Sequence, residues 1–407
     1  MLSLDRRQFL GGSLCALGAT LLPPKPNRIG SAGKTLVVIN LAGGNDGLAS
    51  ITPREDDRYY RARPTIGIPK RKLLPLDDLN GFHPALKKLA QRFERGQVCI
   101  HQGVGSPSSS LSHFRNRDIW ASASTAANLP GTGWMGRAHE LIPGAPGPTP
   151  MIAAGATRLP LALRDEQSSA CVVGALESYR IQSRITEDKL GVDRARMRAL
   201  TALQVTSADG PLKELHAAWT AAERSIDELQ EARSFALQGR FGAGHLDRAL
   251  EQAAHVIGAG LNTRCIHVTQ SGYDTHIEQV KSHGRQLTQL DRALDSFLSE
   301  LERQGNLDRT LVLVISEFGR RVEESGIGDT AGTDHGAGNC VMALGGNIHA
   351  GLHGAQPDLS NLDVNGNLEH QTDFRSLYAD VLENWLGVDS VAVLGEQFKA
   401  VNVVRPS

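Results

Sequence analysis

LVLVISEFGRRVEESGIGDTAGTDHG, residues Leu311–Gly336, carries the clearest structural signal in the chain. It opens with a continuous apolar run, Leu311–Ile315, which predicts a strand buried on both faces of a parallel sheet. The run stops at Ser316-Glu317-Phe318, and a glycine-rich connection then leads to Thr333-Asp334-His335. A carboxylate directly after a buried strand lies at the edge of such a sheet where ligands bind. The alternative is an ordinary strand followed by a solvated loop.

Two other apolar runs end in the same way. Lys34–Leu41 is followed by a glycine turn and Asp46, and Arg264–Val268 leads to Asp274 and His276. The aspartate and histidine of the second run have side chains that suit zinc, manganese or iron. The alternatives are an Asx-turn at Asp46, and a helix-capping aspartate beside a surface histidine at the second position.

A further run, Val98–His101, precedes a serine-rich loop and a helix that we expect to continue to about Ala123. The loop places Ser112 at the helix N-terminus, where the helix dipole favours an anion. Ser112 is a candidate nucleophile, and Arg115 or Asn116 is available to hold a negatively charged group. The alternative is that Ser112 is only an N-cap.

Strands that alternate with helices predict an α/β fold with a mostly parallel central sheet sandwiched by helices. We expect residues 33–407 to form a single domain, with a helical insertion at about 180–258. Helices are also predicted from Phe82 to about Arg95 and from Thr372, as the cap, to Leu386. A long helix after His276 has apolar residues on one face; these are Leu287, Leu290, Leu294, Phe297 and Leu301. We expect the charged segment 52–79, including Arg63, to be a solvated excursion.

The N-terminus, residues 1–32, resembles a twin-arginine signal peptide. Arg6 and Arg7 precede a short, glycine-interrupted apolar segment, and Gly30-Ser31-Ala32 offers a cleavage site. The segment is too short for a stable membrane span. We therefore expect the twin-arginine export machinery to be a partner, and a periplasmic or secreted location.

The remaining composition excludes several classes of protein. Without the leader, the chain has 39 basic and 43 acidic residues, a balance that does not indicate a nucleic-acid surface. No CxxC spacing supports a zinc knuckle. Cys99, Cys265 and Cys340 lie in apolar, strand-like runs and are predicted to be buried thiols.

Several carboxylates at one sheet edge repel each other unless cations are present. Two divalent metal ions would remove this repulsion and would activate a serine or a water molecule. The reaction class that follows is hydrolysis or transfer of a phosphoryl or similar anionic ester group, with a small anionic ester as substrate.

The motifs AGGNDG, SHF, GYDTH, SEFGR and GTDHG, in this order, resemble the bacterial family known as domain of unknown function 1501. That family is grouped with the alkaline phosphatase and sulfatase superfamily, so the resemblance implies an alkaline phosphatase-like fold and a two-metal edge. It also implies residue roles: a carboxylate after the first strand, a nucleophile, one metal pair, a second-metal carboxylate and a late histidine ligand. The corresponding residues are Asp46, Ser112, Asp274 with His276, Glu317 and His335. Asp334, beside His335, is a further candidate metal ligand.

The chain departs from the superfamily pattern at two places. Glu317-Phe318 stands where an Asp-His pair is usual, and Asp274-Thr275-His276 replaces Asp-x-x-x-His. The leading hypothesis is an exported metal-dependent hydrolase of phosphate or sulfate esters. The alternative is a non-catalytic exported binding or surface-assembly protein on the same fold.

Overall fold

A mostly parallel sheet organises the computed structural model, which describes residues 33–143, 149–166, 170–179 and 211–405. The predicted leader and residues 180–210 of the predicted insertion lie outside these ranges. The strands are β1 Thr35–Ala42, β2 Ile51–Pro53, β3 Leu74–Pro75, β4 Asn80–Phe82, β5 Val98–Gly105, β6 Met151–Ala154, β7 Ala170–Val173, β8 Cys265–Ser271, β9 Thr310–Ile315, β10 Gly319–Arg320, β11 His335–Gly336, β12 Asn339–Gly345, β13 Gly351–His353 and β14 Thr372–Asp373.

The central sheet has the strand order β13-β5-β12-β9-β1-β8-β6-β7, and β14 also pairs with β5. β1 is parallel to both β8 and β9, whereas β12 is antiparallel to β5 and β9. The predicted α/β fold with a mostly parallel sheet is confirmed, with β12 as the exception. β5 and β9 therefore run in the same direction as β1 and β8.

Helices cover both faces of this sheet. They are α1 Gly47–Ser50, α2 Asp57–Ala62, α3 Lys87–Glu94, α4 His113–Ser122, α5 Trp134–Leu141, α6 Pro211–Arg233, α7 His245–Gly258, α8 Gln279–Gln304, α9 Phe374–Asp380 and α10 Ser390–Leu394. Alternate residues of β1 face two separate cores: Val37 packs in the core that contains α7 and α8, and Val38 in the core that contains α5 and α9. The two cores follow from the two-residue period of a strand.

The amphipathic helix predicted after His276 is α8. The five apolar residues predicted to share one face of it are at most 1% exposed. α6 and α7 lie in the described part of the range 180–258, which was predicted as a helical insertion. That the whole range forms one insertion remains a prediction. No helix in the described ranges is long and apolar enough to cross a membrane.

Several predicted boundaries were wrong for local reasons. The helix expected from Phe82 begins at Lys87, because Asn80–Phe82 pairs with Ile51–Pro53 in a small three-stranded sheet. That sheet and α2 also give the segment 52–79 regular structure. α9, which corresponds to the helix predicted from Thr372, is capped by Asp373, whose side chain accepts from the Arg375 amide at 2.9 Å.

Thr372, the predicted cap, instead pairs with Val104 in the sheet. After α9 the chain continues in a wider helical turn, Val381–Leu386, and ends at Gly387 with a φ of 69°. The helical segment thus ends after Leu386, as predicted, because Gly387 has the left-handed conformation that glycine adopts without strain. The cysteines Cys99, Cys171, Cys265 and Cys340 are free and buried, as predicted for Cys99, Cys265 and Cys340.

His267 of β8 is buried in the folded sheet, and its burial disfavours the protonated form. Burial lowers its pKa to about 4, whereas the unfolded value is about 6.5. The contribution of neutral, buried His267 to the free energy of unfolding is therefore complete above pH 6.5. It is lost as the pH falls from 6.5 towards 4. At pH 5 the expected loss is about 2 kcal/mol from this group.

Urea denaturation of the wild type and of His267→Leu at pH 7 and pH 5 tests this expectation. The variant should lose about 2 kcal/mol less on acidification, because leucine cannot be protonated. Equal losses in the two proteins would show that His267 is not the acid-sensitive group.

Candidate functional site

Four chain segments meet at one edge of the central sheet. β1, β8 and β9 are adjacent and parallel, so their carboxyl ends lie together, and β5 ends at the same edge. The segments that follow them carry Gly43-Gly44, Asp274, Glu317 and the loop before α4. The β10–β11 pairing then brings His335 back opposite Arg320. The predicted convergence of distant motifs is thus present.

Asp274 is the centre of this edge. Its Oδ1 accepts from Arg320 Nη2 at 2.7 Å and lies 3.2 Å from His335 Nε2 and 3.1 Å from His276 Nε2. Its Oδ2 lies 3.3 Å from His113 Nε2. One carboxylate therefore faces three imidazole Nε2 atoms.

The other ring nitrogen of each histidine determines which tautomer is present. His335 Nδ1 lies 2.7 Å from the Leu111 carbonyl oxygen, which can only accept, so this Nδ1 carries the hydrogen. His113 Nδ1 is 3.0 Å from Glu317 Oε1, and His276 Nδ1 is 3.0 Å from an oxygen of Asp334. By the same argument, all three histidines present an Nε2 lone pair to the site when neutral.

These lone pairs create a need for a cation. His276 Nε2 and His335 Nε2 are only 3.0 Å apart, and two lone pairs at that distance repel each other. His113 Nε2 is buried and has no hydrogen-bond partner, although an acceptor oxygen of Asp274 is close. A metal ion among these atoms would satisfy all of them, whereas a single proton could bridge only two.

The donor set fits a divalent metal. His113, Asp274 and His335 offer ligand atoms that all lie within 4.8 Å of one another, and this is the one such group that the described residues form. His276 adds an imidazole that contacts two of the three. Three nitrogens and one carboxylate oxygen suit zinc, and a metal-binding histidine commonly donates its second N–H to a carboxylate or a carbonyl, as here. We call these four residues the metal cluster.

Glu317 and Asp334 were predicted as direct metal ligands. In the structure each of them instead contacts the Nδ1 atom of a histidine of the metal cluster. Glu317 is 3% exposed, and its Oε1 accepts from the Gly43 amide at 2.8 Å and from His113. Asp334 holds His276 in the same way. Both carboxylates orient imidazoles of the metal cluster, a role that the sequence did not reveal.

Asp46, also predicted as a ligand, is not brought into the metal cluster. Its carboxylate is fully buried and accepts from Arg63 Nη1 at 2.7 Å, from the Ala49 amide at 3.1 Å and from Gln279 Nε2. Burial alone would raise the pKa of Asp46, but the charges of Arg63 and His283 and the hydrogen bonds lower it. Protein donors occupy both oxygens, so this geometry assigns Asp46 to the support of the site.

Arg63 was expected on a solvated face, and that expectation was wrong. It is 1% exposed, because its guanidinium also donates to the carbonyls of Val322 and Arg321 at 2.9 and 2.8 Å. Residues 54–63 contain four arginines, Arg54, Arg58, Arg61 and Arg63, and the sequence does not reveal which of them is buried.

Arg320 controls the charge at Asp274. Burial alone would raise the pKa of Asp274, but the hydrogen bond and charge of Arg320, with smaller contributions from His335 and His113, hold it at about 2. Burial lowers the pKa of His335 despite its bonds to Leu111 and Asp274. At neutral pH the carboxylate is therefore ionised, and the lowered pKa of His335 favours a neutral, metal-binding imidazole.

Phe318 occupies the position where the superfamily pattern has a histidine. Its ring is 1% exposed and lies 4.8 Å from the His113 ring and 4.7 Å from the His335 ring, between centroids. It therefore packs against the two imidazoles. Gly44, with a φ of 74°, has no room for a side chain because a Cβ would lie 2.4 Å from the Phe318 ring.

Ser112 is exposed at the start of α4, and its side chain makes no capping hydrogen bond. On one side of it the Leu111 carbonyl contacts His335 of the metal cluster, and on the other side His113 is a member of that cluster. Leu111 has a φ of 55°, which is strained for a residue with a side chain and is most often found at functional sites. The predicted nucleophile thus lies next to the site, with a free hydroxyl.

The two predicted anion-binding residues have other partners. Arg115 Nη2 donates to the Ala126 carbonyl. Asn116 is fully buried, accepts from the Ser110 amide at 3.0 Å and donates to Ser109 Oγ at 2.7 Å. Asn116 therefore shapes the serine loop.

The contributions of His113, Arg320 and Leu111 were not predicted. His113 and Arg320 lie inside the SHF and SEFGR motifs. Their presence there was a usable signal, but a histidine in a helix and an arginine after a strand more often have structural roles. The Leu111 contribution is a backbone carbonyl, which side-chain patterns cannot show.

Comparison with known proteins supports the family assignment. The sequence model of the family described as protein of unknown function DUF1501 matches residues 33–398. None of the curated proteins has a sequence that matches this one.

The chain is also similar to several solved structures at low sequence identity. A sulfatase from Pseudoalteromonas sp. is 10% identical, with a TM-score of 0.39, over 88% of this chain and 68% of that one. A phosphonate monoester hydrolase from Silicibacter pomeroyi is 10% identical, with a TM-score of 0.37, over 90% and 78%. The C-terminal periplasmic domain of EcEptC from Escherichia coli, in complex with zinc, is 9% identical, with a TM-score of 0.36, over 78% and 75%.

Metal binding can be tested by varying ligands and orienting residues separately. His335→Ala should abolish stoichiometric zinc binding, whereas Glu317→Gln should weaken the affinity by about 10- to 100-fold, because Glu317 acts through His113. His245→Ala, a histidine that bonds the Gly155 carbonyl, is the control and should bind as the wild type does. Zinc titration followed by elemental analysis measures both effects. Complete loss of zinc in Glu317→Gln would instead make Glu317 a ligand.

The buried Arg63–Asp46 pair should be necessary for stability. Arg63→Met leaves the Asp46 carboxylate buried without its partner, which costs about 3–5 kcal/mol of unfolding free energy. The double variant Arg63→Met/Asp46→Asn should recover part of this loss, since the unpaired charge is gone. Urea denaturation measures both. Strictly additive losses would show that the two side chains do not interact.

Proposed function

We propose that this chain, which belongs to the DUF1501 family of proteins of unknown function, is an exported metal-dependent hydrolase of phosphate or sulfate esters. The observation that carries the proposal is the convergence of three imidazole Nε2 atoms on the Asp274 carboxylate at the ligand edge of an α/β sheet. His113, His276 and His335 supply these nitrogens. Export rests on the twin-arginine pattern at Arg6 and Arg7.

The metal cluster is built to hold a cation before any substrate arrives. Glu317, Asp334 and the Leu111 carbonyl fix the three ring orientations. A bound divalent ion would polarise an ester oxygen and favour the ionised form of a nearby hydroxyl. The chain's own contribution is therefore preorganisation of the donor atoms, with little rearrangement left for the reaction.

Ser112 is the proposed nucleophile. Its hydroxyl is exposed, free of a capping bond and located at the N-terminus of the ten-residue helix α4. In the first step Ser112 Oγ forms a bond to phosphorus or sulfur and loses its proton, while the bond to the ester oxygen breaks and the departing alcohol takes up a proton. Water then releases the phosphate or sulfate and restores the hydroxyl. The amides at the start of α4 favour the anionic group during both steps.

The proposal is made for one metal ion, although the sequence predicted a two-metal edge. Asp46 is occupied by Arg63 and Gln279, and Phe318 fills the place of an expected histidine. Zinc is the first choice because the donor set contains three nitrogens, while manganese and iron remain candidates.

The pairing of Asp46 with Arg63, and the presence of Phe318 in place of an expected histidine, also favour a second candidate function. A chain that keeps one metal but lacks the rest of the superfamily site fits an exported binding or surface-assembly protein without turnover. The two functions predict the same metal content and differ in catalysis alone.

Turnover therefore separates them. Zinc-loaded protein is mixed with p-nitrophenyl phosphate or p-nitrophenyl sulfate, and kcat is measured from the release of p-nitrophenol. Ser112→Ala should lower kcat by at least about 100-fold, since the covalent route is lost. Ser108→Ala, an exposed serine of the same loop, is the control and should retain activity. Full metal occupancy without turnover, or equal rates for Ser112→Ala and the wild type, would favour the binding protein.

A further inference from the structure

Large apolar side chains are exposed beside the metal cluster. Phe114 is 75% exposed, Ile277 68%, Val280 64% and Ile327 84%. Scattered exposed apolar residues are normal on a protein surface. Two of these four adjoin the metal cluster in the chain, because Phe114 directly follows His113 and Ile277 directly follows His276. We call the four residues the apolar rim.

Backbone contacts join the parts of the apolar rim that come from different segments. The Glu278 amide donates to the Thr330 carbonyl at 3.3 Å, and the Thr330 hydroxyl donates to the Ile327 carbonyl at 2.9 Å. The loop that carries Ile327 is therefore held against the segment that carries Ile277. Phe114 comes from a third segment, and its neighbour in the chain, His113, contacts Asp274.

The backbone beside the apolar rim is strained. Glu278, between Ile277 and the first residue of α8, has a φ of 49°. A residue with a side chain is strained in this conformation, and such strain clusters at ligand sites. α8 buries its other apolar residues fully, including Leu287 and Leu290. The exposure of Ile277 and Val280 is thus restricted to the N-terminal end of α8 and the residues just before it, which follow His276 of the metal cluster.

Positive charge accompanies the apolar surface. The Arg117 guanidinium carbon lies 5.5 Å from the centroid of the Phe114 ring, and both side chains are exposed. A ligand at this position meets an apolar surface, an arginine and a cluster that attracts anions. That combination matches a molecule with an anionic head directly attached to an apolar body.

We propose that the substrate is an amphiphile, a phosphate or sulfate ester of an alkyl chain, with its head at the metal cluster and its chain on the apolar rim. The position of the head rests on the proposed function. The position of the chain rests on the exposed residues themselves. Burial of each methylene against the rim would strengthen binding, up to the length that the rim covers.

Binding of alkylphosphonates, which cannot be hydrolysed, tests the apolar rim without turnover. Isothermal titration calorimetry on the zinc-loaded chain should show octylphosphonate binding at least about 10-fold more tightly than ethylphosphonate. The double variant Ile277→Ser/Val280→Ser should reduce this ratio to below about threefold. Val364→Ser, at a fully exposed valine of a different loop (101%), is the matched control and should keep the wild-type ratio.

The outcomes separate the amphiphile proposal from the hydrolase proposal. Chain-length-dependent binding that the double variant loses supports the rim, even if p-nitrophenyl esters are not turned over. Turnover of those esters with equal binding of the two phosphonates overturns the rim and leaves the hydrolase intact. Equal ratios in the double variant and in Val364→Ser also overturn it. Co-sedimentation with neutral phosphatidylcholine vesicles, lost in the double variant and without chain-length dependence, would make the rim a membrane contact and overturn the substrate proposal.

Discussion

The buried guanidinium of Arg320 is the constraint on which the site depends. It donates to the carbonyls of Gly44, Thr333 and Tyr273 at 2.8, 2.9 and 3.0 Å, and to Asp274 Oδ1 at 2.7 Å. These partners belong to three loops that are far apart in sequence. Because a buried guanidinium needs its donors satisfied, the loops are held at fixed positions around it. The carboxylate at the centre of the metal cluster is thereby both placed and kept ionised.

A second buried arginine extends the same arrangement behind the site. Arg63 pairs with Asp46, and Gln279 bridges from Asp46 to the hydroxyl of Thr333, which precedes the GTDHG histidine by two residues. Removal of a single partner from such a network leaves a charge or a polar group unpaired in a medium of low dielectric. Asp46, the acidic residue of the AGGNDG motif, is therefore understood as a structural anchor for the residues of the metal cluster.

The functional edge combines rigid and strained parts. The histidine rings are held by carboxylates and a carbonyl, whereas Leu111 and Glu278 adopt left-handed backbone conformations on either side of the metal cluster. The strained residues adjoin the proposed nucleophile and the apolar rim. A fixed cluster beside an exposed apolar surface fits a site that binds a charged head tightly and leaves the rest of the ligand partly in solvent. In that arrangement the metal cluster would set the reaction, and the rim would select the ester.

The amino-acid sequence by itself determined the buried strands, the amphipathic helix α8, the mostly parallel sheet and the family. These depend on periodicity and on motif order, which are local properties of the chain. It also predicted that Asp274, His276, Glu317 and His335 meet at one edge, because parallel strands end together. Only the tertiary structure decided what each of them does. Whether a carboxylate faces a ligand site or an arginine depends on contacts between separate segments of the chain. Asp46 faces Arg63, which is 17 residues away, and Glu317 faces His113, which is 204 residues away. Phe318 packs against two imidazoles. Spacing along the chain contains no such information, since side-chain direction is set by packing in three dimensions.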